Sequence, residues 1–542
     1  MDRMMRLTED GRIIGNTLLG DIKSEQQRWK ICMMSVLILG LLAHGMGFAH
    51  LTVNQDSLSE FYWSASVKWK LHLGRYLEPV LRLLLGQIIA LPWLSGMLAV
   101  FLMGYAVVLI SRLFSLNKVW ENVVLSGILV CNPVITTQVA TYIHDFPQNM
   151  IAMVMAIWAA WAWLQMEEKF SWKYTLFGSG CLFVCFGIYQ AYLSVMLVLL
   201  CLMAMAMLLK GQKAWPVVRH LLRAAPIGIL GVIAYALGLY LSVVLLNANL
   251  GGGGGNNVMQ IGDALQNLGS LVVDGYQMVL MELFVHHWST VKSLTGPISL
   301  GICVVNGLLA LRALVAAIRV IRIRKLSAAE ICLLIVLTAV LPLCMSCVCI
   351  ISDVFHYLLR LSVFLFYLLV MILMGLERQL NKKASYRWQQ VIAAAMIGIV
   401  IFSHIQVSNV SYEKKKLEVY STLSTMTRVL ERLEAWEGYE LGNTEVCFGG
   451  VISSHQVELK VGNADQMLGM SSNSQMPYSG LTERYLQYYL QYPINLCSNE
   501  KRNQIMETEQ FQSMGCFPAQ DCVACIDGTL VVKLGDMDYI YD

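Results

Sequence analysis

The chain has 542 residues, 57% hydrophobic and 14% charged, with a formal net charge of +3; a soluble domain carries roughly 25% charged residues. This balance excludes an electrostatic nucleic-acid binder, which concentrates basic charge on an exposed face, and a disordered chain, which pairs few apolar residues with high net charge. Long unbroken apolar runs also exclude one large soluble enzyme, because a run of about 20 apolar residues is a membrane span.

In chain order the runs predict about eleven transmembrane helices, at 31–50, 93–114, 120–140, 149–166, 174–187, 192–209, 224–246, 297–318, 328–350, 357–376 and 389–406. The expectation is an all-α polytopic membrane protein in three parts: a cytoplasmic N-terminal segment over 1–30, a transmembrane domain over 31–406 and a small C-terminal extracytoplasmic α/β domain over 407–542. No cleavable signal peptide is evident, since the first run is long enough to span and follows a long charged stretch. With the N-terminus inside, the inner loops hold sixteen Lys and Arg and the outer loops five, namely Lys68, Lys70, Arg75, Arg82 and Lys292. Short cytoplasmic loops carry the excess of positive charge, so this orientation is the expected one. Four of the five outer basic residues lie between the first and second spans, where something wants positive charge.

That first outer loop combines Asp56 and Glu60 with Trp63, Lys68, Lys70, Gly74-Arg75-Tyr76-Leu77-Glu78-Pro79 and an amphipathic stretch over 80–91, a composition that suits helices lying along the interface. The later outer turns carry Tyr142-Ile143-His144-Asp145, Gly187-Ile188-Tyr189-Gln190-Ala191-Tyr192, Glu282 with His286-His287, and Asp353 with His356 and Arg360. Each has a plain structural reading: Tyr and Trp belong at interfaces, Asp145 could cap a helix, and Arg360 could pair with Asp353. Their clustering at the outer span ends, with almost no charge in the lipid-buried stretches, argues for a site there, since charge near the membrane is costly and is retained for function. Gly251–Gly255 lacks the Lys-Ser/Thr tail of a phosphate cradle and reads as a flexible outer loop.

Past residue 407 the composition turns polar. A helix is expected over 412–436, a strand over 444–452, a helix over 481–492 and a hairpin over 522–534 turning at Asp527-Gly528. Of 15 cysteines, five lie in this region, as free thiols or with one disulfide, and Cys522-Val-Ala-Cys525 has no partner pair to make a zinc site.

A site at headgroup level suits a lipid-linked substrate. Arg75 or Arg360 would hold a donor phosphate through charge-assisted hydrogen bonds. Asp56, with Glu60 as alternative, would take the proton of an acceptor hydroxyl. His144, Asp145, Tyr189, Gln190, His286, His287, Asp353 and His356 would line the substrates, and no metal ligand set is assigned.

The pattern resembles the bacterial glucosyl transferase GtrII family, membrane glycosyltransferases of GT-C type. The resemblance rests on Asn54-Gln55-Asp56-Ser57 after the first span, Gly74-Arg75-Tyr76-Leu77 with Pro79, the Tyr142–Asp145 turn, Gly187–Tyr192 and the tail from Ile526 to Leu534. It implies a GT-C-like fold and transfer of a sugar, commonly glucose, from a polyprenyl-phosphate-linked donor to a cell-surface glycan, with the first-loop acid as catalytic residue. Gln55 stands where many GT-C enzymes have the first of two acids, which leaves the need for a divalent cation open. A transporter or flippase of lipid-linked glycan is the main rival. It would need a midplane site in related halves, and no internal repeat is evident. A membrane-anchored sensor would leave the other polar turns unexplained.

Overall fold

The computed structural model describes residues 21–50, 57–58, 60–246, 267–286, 297–352, 357–380, 384–452 and 479–537. The helices are α1 Glu25–Ala49, α2 Trp63–His72, α3 Leu77–Leu84, α4 Pro92–Leu113, α5 Val119–Val130, α6 Pro133–Thr141, α7 Phe146–Leu164, α8 Trp172–Ile188, α9 Leu193–Leu209, α10 Ala214–Leu222, α11 Ala224–Leu245, α12 Leu268–Met281, α13 Pro297–Arg324, α14 Ala328–Ser352, α15 Phe366–Leu380 and α16 Ala384–Glu434. A π-helical turn, Glu282–His286, extends α12, and a 3-10 helix, Tyr357–Leu365, leads into α15.

The chain is a polytopic helical membrane protein. Nine helices among the described residues are long and apolar enough to cross a bilayer, or ten if α5 and α6 form one bent span. Two of the eleven expected runs fall short of that criterion. Within α7, Gln148, Asn149 and three tryptophans dilute the apolar run, and α8 has only 17 residues. Conversely α12 with its π turn qualifies although no span was expected there. The expected span over 120–140 is bent by 43° between α5 and α6. Asn132 and Pro133 cause the bend. Pro133 opens α6, and the Asn132 side chain caps it by accepting from Ile135 N at 3.2 Å.

The sharpest departure is α16. A span and a separate helix over 412–436 were expected, yet α16 is one helix of 51 residues, roughly 77 Å long at 1.5 Å per residue. No Gly or Pro interrupts the stretch between Gly398 and Gly438. Two of its buried serines are satisfied along the helix itself: Ser408 and Ser411 donate to His404 O (2.9 Å) and Val407 O (2.8 Å). Buried His44 of α1 ties α16 to the bundle, bonding Tyr412 Oη at 2.7 Å and Val130 O at 2.6 Å.

At the far end of α16 lies a four-stranded sheet in the order β2-β1-β4-β3, with β1 Glu445–Gly449, β2 Asn495–Leu496, β3 Val523–Ile526 and β4 Thr529–Lys533. β1 runs parallel to both neighbours, and β3 and β4 form an antiparallel hairpin. Its turn residues Asp527 and Gly528 have φ of 48° and 73°, the conformation that an Asp-Gly pair favours. Helices α17 Ser479–Arg484, α18 Asn499–Met506 and α19 Glu509–Ser513 flank the strands. The 15 cysteines are free thiols.

The core of this module joins Met426, Val429 and Leu433 of α16 to Val446, Phe448, Leu481, Tyr485 and Val532, and it includes Leu58 of the loop between α1 and α4. Tyr62 packs edge-on to Tyr488 at 5.2 Å and receives a hydrogen bond from Gln491 at 3.1 Å. The sheet module therefore sits directly against the loop that was expected to carry the chemistry.

Candidate active site

The loop between α1 and α4 is built from α2 and α3, each stopped by the same device. At the end of α2, Gly74 N donates to Leu71 O (2.9 Å) and Arg75 N to Lys70 O (2.8 Å). At the end of α3, Gly86 N donates to Leu83 O (3.0 Å) and Gln87 N to Arg82 O (2.9 Å). These are paired Schellman closures, which need a left-handed residue; Gly74 and Gly86 supply it at φ 73° and 70°. Fully buried Arg82 braces the two helices, donating to Gln87 O at 3.0 Å, Ser66 Oγ at 3.3 Å and Glu60 O at 3.0 Å. Two of this loop's four basic residues, Lys70 and Arg82, are thus buried inside the protein.

Lys70 is the centre of a polar cluster whose members Glu60, Lys70, Glu78, His144 and Asp145 are each between 1% and 4% exposed. Its ammonium bonds Glu60 Oε2 at 2.7 Å and Asp145 Oδ2. His144 Nε2 lies 2.7 Å from Glu60 Oε2 and 3.4 Å from Asp145 Oδ1. His144 Nδ1 is buried without a hydrogen-bond partner, and the buried Glu78 and Asp145 carboxyls share a hydrogen bond.

The electrostatics follow from this packing. Burial pushes the Glu60 and Asp145 carboxyls up, but the Lys70 ammonium and His144 outweigh it and hold both below the usual range. Burial disfavours the charged Lys70, and the Asp145 and Glu60 carboxylates more than reverse that. Glu78 is pushed well up, by burial first and by the Asp145 carboxylate next.

Glu60, His144 and Asp145 place one ligand atom each within 4.8 Å of one another. Imidazole and carboxylate suit a divalent cation in type. The fit fails in one respect, because the Lys70 ammonium already bonds the converging carboxylate oxygens. A cavity lined by Leu113, Glu121, Leu164 and Lys210 among others lies at the opposite helix ends and includes no residue of the cluster.

Of the residues expected at the site, Glu60, His144 and Asp145 come together. Asp145 stands at the N-cap of α7 but makes no capping bond, so the capping role considered for it is not what holds it. Arg75 lies beside the cluster with its guanidinium 4.3 Å from the Tyr189 ring centroid, a cation–π distance. Its buried Nε has no hydrogen-bond partner. Gln190 holds the loop: its amide donates to Gly74 O at 3.3 Å and Tyr235 Oη at 2.9 Å. Arg360 pairs with Glu282 at 3.0 Å, where a pairing with Asp353 was considered. His286 ends the π-helical turn, and Asp56, His287, Asp353, His356 and the glycine run Gly251–Gly255 lie outside the described residues. Lys70 and Glu78 were missed as site residues. The surplus of positive charge in an outer loop was the available signal for Lys70; for Glu78, an acid that helix packing buries, there was none.

Residues 45–374 match the family model described as Glucosyl transferase GtrII, and this stretch contains the whole cluster, Arg75 and Tyr189. No curated protein and no solved structure matches the chain.

Proposed function

This chain belongs to the glucosyl transferase GtrII family, and from that premise we propose that it transfers a sugar, glucose by family, from a polyprenyl-phosphate-linked donor to a cell-surface glycan at the outer face of a bacterial cell membrane. The carrying observation is the family match over a segment whose buried acids, imidazole and ammonium gather at one end of the bundle.

In this reading the N-terminus is cytoplasmic and the sheet module extracytoplasmic, facing the acceptor glycan. The donor's polyprenyl chain lies among the apolar helices, with its phosphate at headgroup level. Arg75 is the cation for that phosphate: it bears no carboxylate partner among the described residues, whereas Arg360 is already compensated by Glu282. Asp56 accepts the proton of the acceptor hydroxyl. That oxygen bonds to the anomeric carbon, the bond from this carbon to the phosphate oxygen breaks, and the electron pair leaves on the phosphate beside Arg75. Glu60, engaged by Lys70 and His144, positions the loop.

The test is transfer of labelled sugar in membranes, wild type against Asp56→Asn. Loss of the base predicts a fall in kcat of about 10²–10⁴-fold. Unchanged turnover removes Asp56 from this role, and a labelled lipid that crosses the bilayer without forming a glycosidic bond identifies a flippase.

A further inference from the structure

We propose that the cation of the buried cluster is the Lys70 ammonium itself, standing where a divalent metal would sit, so that the cluster takes up no divalent ion until Lys70 is removed. Glu60, His144 and Asp145 form a ligand set by atom type and spacing. The oxygens that converge, Glu60 Oε2 and Asp145 Oδ2, are the two that Lys70 Nζ bonds, and His144 Nε2 is turned onto the same Glu60 oxygen. An ion entering this set would meet the ammonium within contact range, and like charges at that distance in a buried site repel strongly.

Lys70 cannot simply swing aside. It sits in the last turn of α2, with its own carbonyl receiving the Schellman bond from Arg75 N, and its side chain is 1% exposed. What remains if the charge is deleted is the set of Glu60, His144 and Asp145 ligand atoms with its counter-cation gone. Two carboxylates and one imidazole would then face the space the ammonium leaves, donor types that suit a Mn²⁺ ion.

The inference concerns the site of the proposed transferase, but it is tested by binding without any substrate, so its failure is separable from failure of the transfer reading. Full-length protein in nanodiscs is stripped with chelator and titrated with Mn²⁺, following free Mn²⁺ by electron paramagnetic resonance. Wild type and Asp145→Asn are expected to show the same residual uptake. Lys70→Met, which keeps the apolar stem and deletes the terminal ammonium, is expected to gain one tight equivalent, at least about tenfold tighter than that residual uptake, and Lys70→Met/Asp145→Asn to lose it. A stoichiometric Mn²⁺ site in the wild type that disappears in Asp145→Asn overturns the proposal. So does a Lys70→Met protein that elutes as a single folded species and gains no site. If Lys70→Met does not fold, the comparison of wild type with Asp145→Asn alone decides.

Discussion

Single side chains divide here into those whose charge is used up inside the protein and those whose charge is left over. Arg360 is of the first kind, paired with Glu282, and Arg75 of the second, resting on the Tyr189 ring. Arg75→Gln is therefore expected to raise the donor KM by about tenfold to a hundredfold, the loss of a charge-assisted contact worth roughly 1.5–3 kcal/mol, while Arg360→Gln leaves KM unchanged and lowers thermal stability; steady-state kinetics and melting curves separate the two. Glu78 differs again, since its carboxyl is held well above the ordinary value of 4.5. Folding then favours its protonated form, and its contribution to stability declines as pH rises above that value. Asp145 and Glu60, held low, have the opposite sign and lose their contribution as pH falls. Glu78→Gln should raise the melting temperature at about pH 8 and have a smaller effect at about pH 5; an equal shift at both would show that Glu78 does not titrate in the folded protein.

Among the elements, the joint between the α1–α4 loop and the sheet module carries the most consequence. Leu58 is fully buried in the module's core although some 370 residues separate it from Met426. Leu58→Ala should cost about 2–5 kcal/mol locally and free the segment around Tyr62, read as faster amide exchange at residues 57–62 and at Tyr488, with the helical bundle unchanged. Much of this level was legible beforehand. The apolar runs located most of the spans, and Asp527-Gly528 located the hairpin, because both signals are local in sequence. The continuity of α16 was not legible, since a change from lipid-facing to polar composition looks like a boundary while the backbone needs no break to cross it. Nor was the burial of Lys70 and Glu78. In an interfacial loop a charged residue reads as exposed, and only the packing of α2 and α3 against the His144–Asp145 turn decides otherwise.

At the scale of the whole molecule, the bundle, the first loop and the sheet module form one assembly along α16, and the polar cluster lies where they meet. If the excess of basic residues sets the orientation, a single Cys introduced in the Arg319–Lys325 loop should resist an impermeant maleimide in intact cells, and one introduced on the sheet module should react; reversed labelling would place the cluster on the cytoplasmic side, where an outer-surface acceptor cannot reach it. The family match supports a glycosyltransferase, and what the fold adds is a buried polar cluster at one end of the helical bundle. The decisive measurement is therefore donor choice by the purified full-length protein in nanodiscs, offered labelled glucose either as the polyprenyl-phosphate sugar or as a nucleotide sugar together with a cell-surface glycan. The account predicts a labelled glycan from the lipid-linked donor alone, with the yield reduced in Arg75→Gln. Transfer from the nucleotide sugar, or an undiminished yield from the lipid donor in Arg75→Gln, would contradict it.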